Sequence, residues 1–278
     1  MKKISKAIAV FFITAFIIYI YSRFIEPEML RIHYENISSP FIAQESSIKI
    51  LQFSDTHLSD YFDLDDLNRV VDKINVEHPD IVVFTGDLID HYNDYSYKGD
   101  TDKIWGALER IEAPLGKFAV YGNHDYGGGG EKAYSTIMSK GGFTILVNEN
   151  IKLDIYKLNI IGLDDSIFGS IDKNKLIDCI DENSYNLVIS HEPDIIDSLL
   201  ELSIDLFLSG HSHGGQVNVP IVSTNMLPSL AENYTRGIYR FENHRDTLLY
   251  VNVGIGTSQV PLRFMSVPEI SVFTLKNE

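Results

Sequence analysis

A chain of 278 residues with 44% hydrophobic residues is long enough for one large domain or two small ones around a sizeable core. Its formal net charge of −16 argues against nonspecific nucleic-acid binding, which needs basic patches, and no nucleic-acid partner is expected. With Cys179 as the single cysteine, an intrachain disulfide scaffold and a thiolate zinc site are both excluded.

The N-terminus sets Lys2, Lys3 and Lys6 before an uncharged apolar run over residues 7–21. That run is short for a span of about 20 residues, but Ile4, Phe24 and Ile25 extend it, and Tyr19 and Tyr21 fall where an interfacial aromatic belt would lie. No small-residue Ala-x-Ala cleavage site follows, so residues 1–25 read as an uncleaved signal anchor or transmembrane helix in the cell membrane. Three lysines before the run, against Arg23 and Arg31 after it, place the N-terminus in the cytoplasm and the rest of the chain outside. Residues 26–46, punctuated by Pro27 and Pro40, read as a linker with a possible edge strand, and residues 47–278 as the domain that does the chemistry.

From residue 47 the pattern is strand, loop, helix. Residues 48–53 alternate, are β-rich and end in Ser54-Asp55-Thr56-His57, a carboxylate and an imidazole at one strand end. Leu64, Leu67, Val70, Val71 and Ile74 then have helical spacing, opened by acidic residues and stopped by Pro79-Asp80. Residues 81–84 are wholly apolar, as in a strand covered on both faces, and lead to Thr85-Gly86-Asp87 and Asp90. The polar loop with Tyr92, Tyr95 and Tyr97 reads as surface, with a lining of the substrate mouth as the alternative. A short amphipathic helix over 104–111 ends before Pro114, and a strand over 116–121 delivers Gly122-Asn123-His124-Asp125. The glycine run at 127–130 lacks the spacing of a phosphate loop and reads as a turn or hinge before a helix at 131–140.

Strands are expected at 144–147, 151–156 and 158–163, a helix at 173–180, a strand at 186–190 delivering His191, and then another helix. The strand 204–208 precedes Gly210-His211-Ser212-His213, two imidazoles one residue apart in a glycine-flanked loop. Residues 237–241, 247–253 and 270–275 are β-rich and are expected to close a second sheet. Five strand ends thus carry metal-capable residues: Asp55 with His57, Asp87, Asn123 with His124, His191, and His211 with His213. Open α/β folds place their sites at the carboxyl ends of strands. Oxygen and imidazole ligands without thiolate suit Mn, Zn or Fe, with Mn expected first.

Asp55-x-His57, Gly86-Asp87-x-x-Asp90, Gly122-Asn123-His124-Asp125, His191 and Gly210-His211-x-His213 resemble the five-block signature of calcineurin-like metallophosphoesterases, from about residue 48 to the end. Gly162-Leu163-Asp164-Asp165, His213-Gly214-Gly215-Gln216-Val217 and Gly254-Ile255-Gly256-Thr257-Ser258 look like a membrane-attached or exported bacterial branch. In that branch an Arg commonly stands where this chain has Val253. The resemblance implies an α/β fold, a four-layer αββα sandwich of two mixed β-sheets flanked by helices, with a dinuclear site at one end. It assigns Asp55, His57, Asp87 and His213 to the first of two divalent metals, and Asp87, Asn123, His191 and His211 to the second, with Asp87 bridging.

Two divalent ions about 3.5–4 Å apart repel and need such anionic bridges. The implied reaction is cleavage of a phosphodiester or phosphomonoester, in a small-molecule or lipid substrate, by a hydroxide bridging the metals. His124 would lie beside the metals and protonate the leaving alkoxide, oriented by Asp125. Two alternatives accompany this reading. Some relatives cleave the pyrophosphate of UDP-2,3-diacylglucosamine, which is made in the cytoplasm, so that activity would require a cytoplasmic site. A catalytically weak metal-binding module is the other, and the complete ligand set speaks against it.

Overall fold

The computed structural model describes residues 2–96, 98–219 and 227–278, and Tyr97 of the polar loop lies outside them. The chain opens with α1 (Lys2–Ile20), continued by a wider helical turn at Tyr21–Ile25 and a 3₁₀ turn at Glu26–Glu28. The side chains of α1 are exposed along its length, with Phe11 67% and Phe12 64% accessible. This segment is long and apolar enough to cross a membrane.

After α1 come β1 (Arg31–Ser38), β2 (Ser47–Phe53), α2 (Leu64–Val76), β3 (Ile81–Phe84), α3 (Thr101–Glu109), β4 (Gly116–Ala119), α4 (Asn123–Tyr126), α5 (Glu131–Lys140) and β5 (Thr144–Ile145). The second half adds β6 (Glu149–Leu153), β7 (Leu158–Gly162), α6 (Lys173–Cys179), β8 (Tyr185–Ile189), β9 (Leu206–Ser209), β10 (Gly237–Arg240), β11 (Leu248–Val251) and β12 (Glu269–Lys276). Two six-stranded sheets result, ordered β1-β12-β2-β3-β4-β5 and β10-β11-β9-β8-β7-β6. Strands β2 to β5 run parallel, and β12 pairs antiparallel to β2. In the second sheet β7, β8, β9 and β11 run parallel, with β6 and β10 antiparallel at its edges.

The alternation in β2 explains the layering. Ile48 and Ile50 point between the sheets, where they meet Ile81, Val83, Leu187, Ile189, Leu206 and Leu208. Leu51 and Phe53 point outward into a second core under α2, α3 and α5, with Leu67, Val71, Ile104 and Ile137. On the far side, α6 and a 3₁₀ turn at Asp194–Ser198 cover the second sheet through Leu176 and Ile196. The fold is therefore an αββα sandwich. Because β3 is buried along its whole length, it carries no polar residue.

Several local expectations change. The strand expected at 270–275 in the second sheet is β12, and it lies in the first. Its first five residues are buried, so it occupies an interior position between β1 and β2 rather than an edge. The possible edge strand within residues 26–46 is present as β1, eight residues long, and its Arg31 side chain bonds Glu269 at 2.8 Å. The strand expected at 144–147 is reduced to two residues, and the one at 151–156 ends at Leu153 in a 3₁₀ turn closed by left-handed Lys157. The helix expected after His191 is only the 3₁₀ turn Asp194–Ser198, whose Asp194 carboxylate accepts the N–H groups of Glu232, Asn233 and Tyr234. Tyr95 is not a surface residue: its ring is buried in the outer core beside α3.

Candidate metal centre

Both sheets deliver side chains to one seam of the sandwich. β2 leads into Asp55 and His57, β3 into Asp87, β4 into Asn123 and His124, β8 into His191, and β9 into His211 and His213. Parallel strands from each sheet end at the same edge, so residues over 150 positions apart converge. The main chain there is sharply bent. Asp55, His57, Asp87, His211 and His213 have φ values of 51°, 43°, 61°, 68° and 50°, the left-handed region that non-glycine residues seldom enter. Two glycines make room for the carboxylates: a Cβ on Gly122 would stand 2.3 Å from Asp87 Oδ1, and one on Gly210 would stand 2.4 Å from Asp55 Oδ2.

The side chains gather into two groups that share a border at Asp87. In one, His213 Nε2 lies 3.4 Å from Asp55 Oδ1 and 3.0 Å from His57 Nε2, which is itself 3.4 Å from Asp87 Oδ2. In the other, His191 Nε2 lies 3.1 Å from Asp87 Oδ2, 3.2 Å from Asn123 Oδ1 and 3.1 Å from His211 Nδ1. Asp55, His57 and His213, and separately Asp87, His191 and His211, are close enough to hold one cation each.

The outward ring nitrogens are tied down. His57 Nδ1 bonds Asp90 Oδ1 at 2.9 Å, His191 Nδ1 donates to the Thr85 carbonyl at 2.7 Å, and His211 Nε2 donates to the Ser229 carbonyl at 2.9 Å. A ring that donates from one nitrogen presents a lone pair at the other. In their neutral forms His57 and His191 therefore turn a lone pair to Asp87 Oδ2 at 3.4 and 3.1 Å, and His211 turns one to His191 Nε2 at 3.1 Å. His213 turns Nε2 to Asp55 and His57, and its buried Nδ1 has no hydrogen-bond partner among the described residues. Converging acceptors of this kind fit cations.

The electrostatics show how strongly the buried carboxylates draw positive charge onto their neighbours, His57 and His191 included. Burial alone would raise the Asp55 and Asp87 carboxyls. Instead the imidazoles around them, His213 and His57 for Asp55 and His191 and His124 for Asp87, hold both well below the usual carboxylate range. Burial likewise opposes charge on His57, but Asp55, Asp90 and Asp87 outweigh it and push the ring up to about 10. Burial and then the neighbouring His191 push His211 down to about 4, and burial pushes His213 well down.

His124 stands on the wall of a cavity of about 430 Å³ above these groups, also lined by Asn123, Gln216 and Val260. Its main-chain N–H donates to Asp87 Oδ1 at 2.9 Å, and its Nδ1 bonds the Asp90 carbonyl. Asp125 does not orient it. The Asp125 carboxylate instead accepts the N–H groups of Gly122, Asp87 and Leu88 at 2.8–2.9 Å, while burial and the Asp87 charge push it up to about 8. That correction reflects chain direction: Asp125 sits at the third position of α4, where its side chain folds back to the helix start. The residue beside His124 is Asp90, whose place in the Gly-Asp-x-x-Asp block was visible in the sequence although its role was not. Thr85 and Ser229, which act through main-chain carbonyls, leave no side-chain signal to read.

Residues 48–215 match the calcineurin-like phosphoesterase family. The chain is 39% identical over 263 residues to an uncharacterized metallophosphoesterase, YkuE, of Bacillus subtilis, covering 93% of this chain and 90% of that one. It is 30% identical to an uncharacterized metallophosphoesterase of Aquifex aeolicus, over 91% and 95% of the two chains. It is 27% identical to the UDP-2,3-diacylglucosamine pyrophosphatase LpxG of Chlamydia muridarum, over 91% and 92%. With its strand-end ligands gathered at one seam, the chain belongs to the calcineurin-like phosphoesterases and is a phosphoester hydrolase that binds divalent metal.

Proposed function

We propose that the protein is a membrane-anchored, dinuclear-metal phosphohydrolase that cleaves a phosphodiester or phosphomonoester. The observation that carries this reading is the placement of Asp87 Oδ2 within 3.4 Å of His57 Nε2 and 3.1 Å of His191 Nε2, between the two ligand groups. One carboxylate can then serve two cations, the first held with Asp55, His57 and His213 and the second with Asn123, His191 and His211. Two such ions, if held there, would supply a nucleophile at neutral pH and would neutralise charge on the phosphoester. Mn is the first choice of metal, with Zn and Fe as alternatives.

The protein side chains have separate tasks. His57, His191 and His211 keep their lone pairs on the metal side because Asp90, Thr85 and Ser229 hold their other nitrogens. His124 donates from Nδ1 to the Asp90 carbonyl, which leaves Nε2 as the position that exchanges a proton. From the cavity wall it protonates the leaving oxygen. Asp125 fixes the main chain of Asp87 and acts on the site through it.

The anchor is residues 1–25, with the catalytic part on the extracytoplasmic side. A membrane-borne substrate is a second reading, favoured by the surface relief. The main cavity shares Gln259 and Val260 with a cleft of about 140 Å³ that runs past Tyr61 and Asp90 to Pro261. Tyr61 and Pro261 also border a small cleft that contains Arg23 and Pro27, where the apolar helix ends. A phosphate could thus reach the metals while an apolar portion stays near the helix.

The test is a substrate panel run with Mn, Zn and Fe. It contains a chromogenic monoester, a chromogenic diester and a nucleotide-diphosphate lipid presented in vesicles. Turnover of a simple ester with two metals bound per chain supports the first reading; turnover of the vesicle substrate alone supports the second. No turnover of any member with both metals bound overturns both. A reporter fused at Glu278 that scores extracytoplasmic removes the UDP-diacylglucosamine version, and one that scores cytoplasmic removes the outward topology.

A further inference from the structure

Two charged side chains lie buried under the first ligand group, and both are spent on main-chain atoms. Arg263 has no exposed surface. Its Nε donates to the Gly256 carbonyl at 2.9 Å, and Nη1 donates to the Ser266 and Val253 carbonyls at 2.8 and 3.1 Å. Glu26, in the 3₁₀ turn that follows the apolar helix, is 1% exposed. Its carboxylate accepts the N–H groups of two successive residues, Met265 at 3.0 Å and Ser266. The Arg263 N–H in turn reaches back to the Ser22 carbonyl at 2.9 Å. Burying charge is costly unless hydrogen bonds compensate it, so what these two residues hold is informative.

What they hold is the main chain of two ligands. Gly256, folded down by Arg263, donates its N–H to the Asp55 carbonyl at 2.7 Å. Ser266, held by Glu26, donates its Oγ–H to the His213 carbonyl at 2.6 Å. Asp55 and His213 both have left-handed backbone conformations, which persist only when the surroundings enforce them. The two ligands are far apart in sequence and are braced through one loop, residues 253–266, closed from one side by Arg263 and from the other by Glu26.

We infer that Glu26 and Arg263 are positioning residues for the first metal, and that the turn leaving the apolar helix is a working part of the metal centre. This rests on the dinuclear reading above. A carboxylate suits position 26 because two adjacent N–H groups need two acceptor oxygens. A glutamine offers one oxygen and sets its amide against the other N–H. Loss of Glu26 lets Ser266 move, which releases the His213 carbonyl and swings its ring away from Asp55 and His57. The second group is braced elsewhere, by Thr85 and Ser229, and is spared.

The experiment uses the full chain in detergent micelles, stripped of metal and titrated with Mn by calorimetry. The wild type binds two ions. In Glu26→Gln the affinity for one ion falls by about 10- to 100-fold, the usual effect of losing an outer support, while the other ion binds as before. Glu28→Gln, which alters an exposed pair with Arg69 in the same turn, changes neither. Ser266→Ala removes only the bond to His213 and weakens the same ion, so the inference stays exposed even if position 26 tolerates no change. Two unchanged affinities in Glu26→Gln or Ser266→Ala overturn it, as does equal weakening of both ions, which marks general loosening. A wild type that binds fewer than two ions overturns the dinuclear reading and this inference with it.

Discussion

Five members of the proposed ligand set, Asp55, His57, Asp87, His211 and His213, are among the fourteen non-glycine residues with positive φ in the described chain, and each such conformation costs on the order of 1–3 kcal/mol. Such strain survives because the same residues are fixed by carbonyl and carboxylate partners around the seam. These candidate ligands were legible in the sequence; their backbone conformation was not, since Asp and His enter the left-handed region more often than most residues but still seldom, and no flanking pattern common to the five marks it. Two outcomes test single residues. His124→Ala should keep two metals per chain and lower turnover by roughly 10²–10⁴. Loss of metal in elemental analysis would move His124 into the ligand set instead. Asp87→Asn should lose at least one metal, because a neutral amide offers a single oxygen between His57 Nε2 and His191 Nε2. Retention of both ions with full activity on a chromogenic diester removes the bridge.

Among elements, α2 shows how much a periodic segment reveals. Its bounds, residues 64–76, follow from the apolar spacing, and Leu67, Val70, Val71 and Ile74 are the residues it buries. Its start is set by Asp63, whose Oδ1 accepts the N–H groups of Asp65 at 2.8 Å and Asp66 at 3.1 Å, with the Asp66 carboxylate returning a bond to the Asp63 N–H. Asp63→Ala should destabilise the fold by about 0.5–2 kcal/mol, read as a lower urea midpoint at unchanged slope. An unchanged midpoint would show that packing alone holds this helix end. Short elements were harder to read. β5 has two residues and the segment after His191 makes one 3₁₀ turn, lengths too short for a periodic pattern to show. β12 was visible as a strand, but its sheet was not, since burial on both faces is compatible with the interior of either.

For the whole molecule, charge and burial give a pH dependence away from the metals. Asp205, beneath the second sheet, is pushed up from 3.8 to about 6 by burial, against the Asn186 N–H and Arg245 that favour its ionised form. The folded state therefore holds this proton more tightly than the unfolded chain. The contribution is most favourable below the unfolded value, declines as pH rises toward 6, and above that is a constant cost of about 3 kcal/mol. Asp205→Asn keeps an acceptor for the Asn186 N–H and should abolish this decline. Urea unfolding of both chains between about pH 4 and pH 7 checks it, and a parallel pair of curves contradicts it. A second prediction concerns α1, whose apolar side chains face outward. A chain beginning at Ser22 should leave the membrane fraction yet keep two metals, since Glu26 and its contacts remain. Membrane retention of that shortened chain would place the attachment elsewhere.

By itself the sequence determined which Asp, Asn and His residues stand at successive strand ends, and so the candidate ligands, together with the apolar segment at the N-terminus. These are local properties: an apolar run buries itself, and the polar residues after it fall at its mouth. Only the tertiary structure decided that Asp90 rather than Asp125 bonds the His124 ring, that β12 completes the first sheet, and that Glu26 holds the main chain of Met265 and Ser266. Each depends on contacts between main-chain atoms and side chains far apart in sequence. Such contacts are set by how two sheets close on one another, and no single segment encodes that closure.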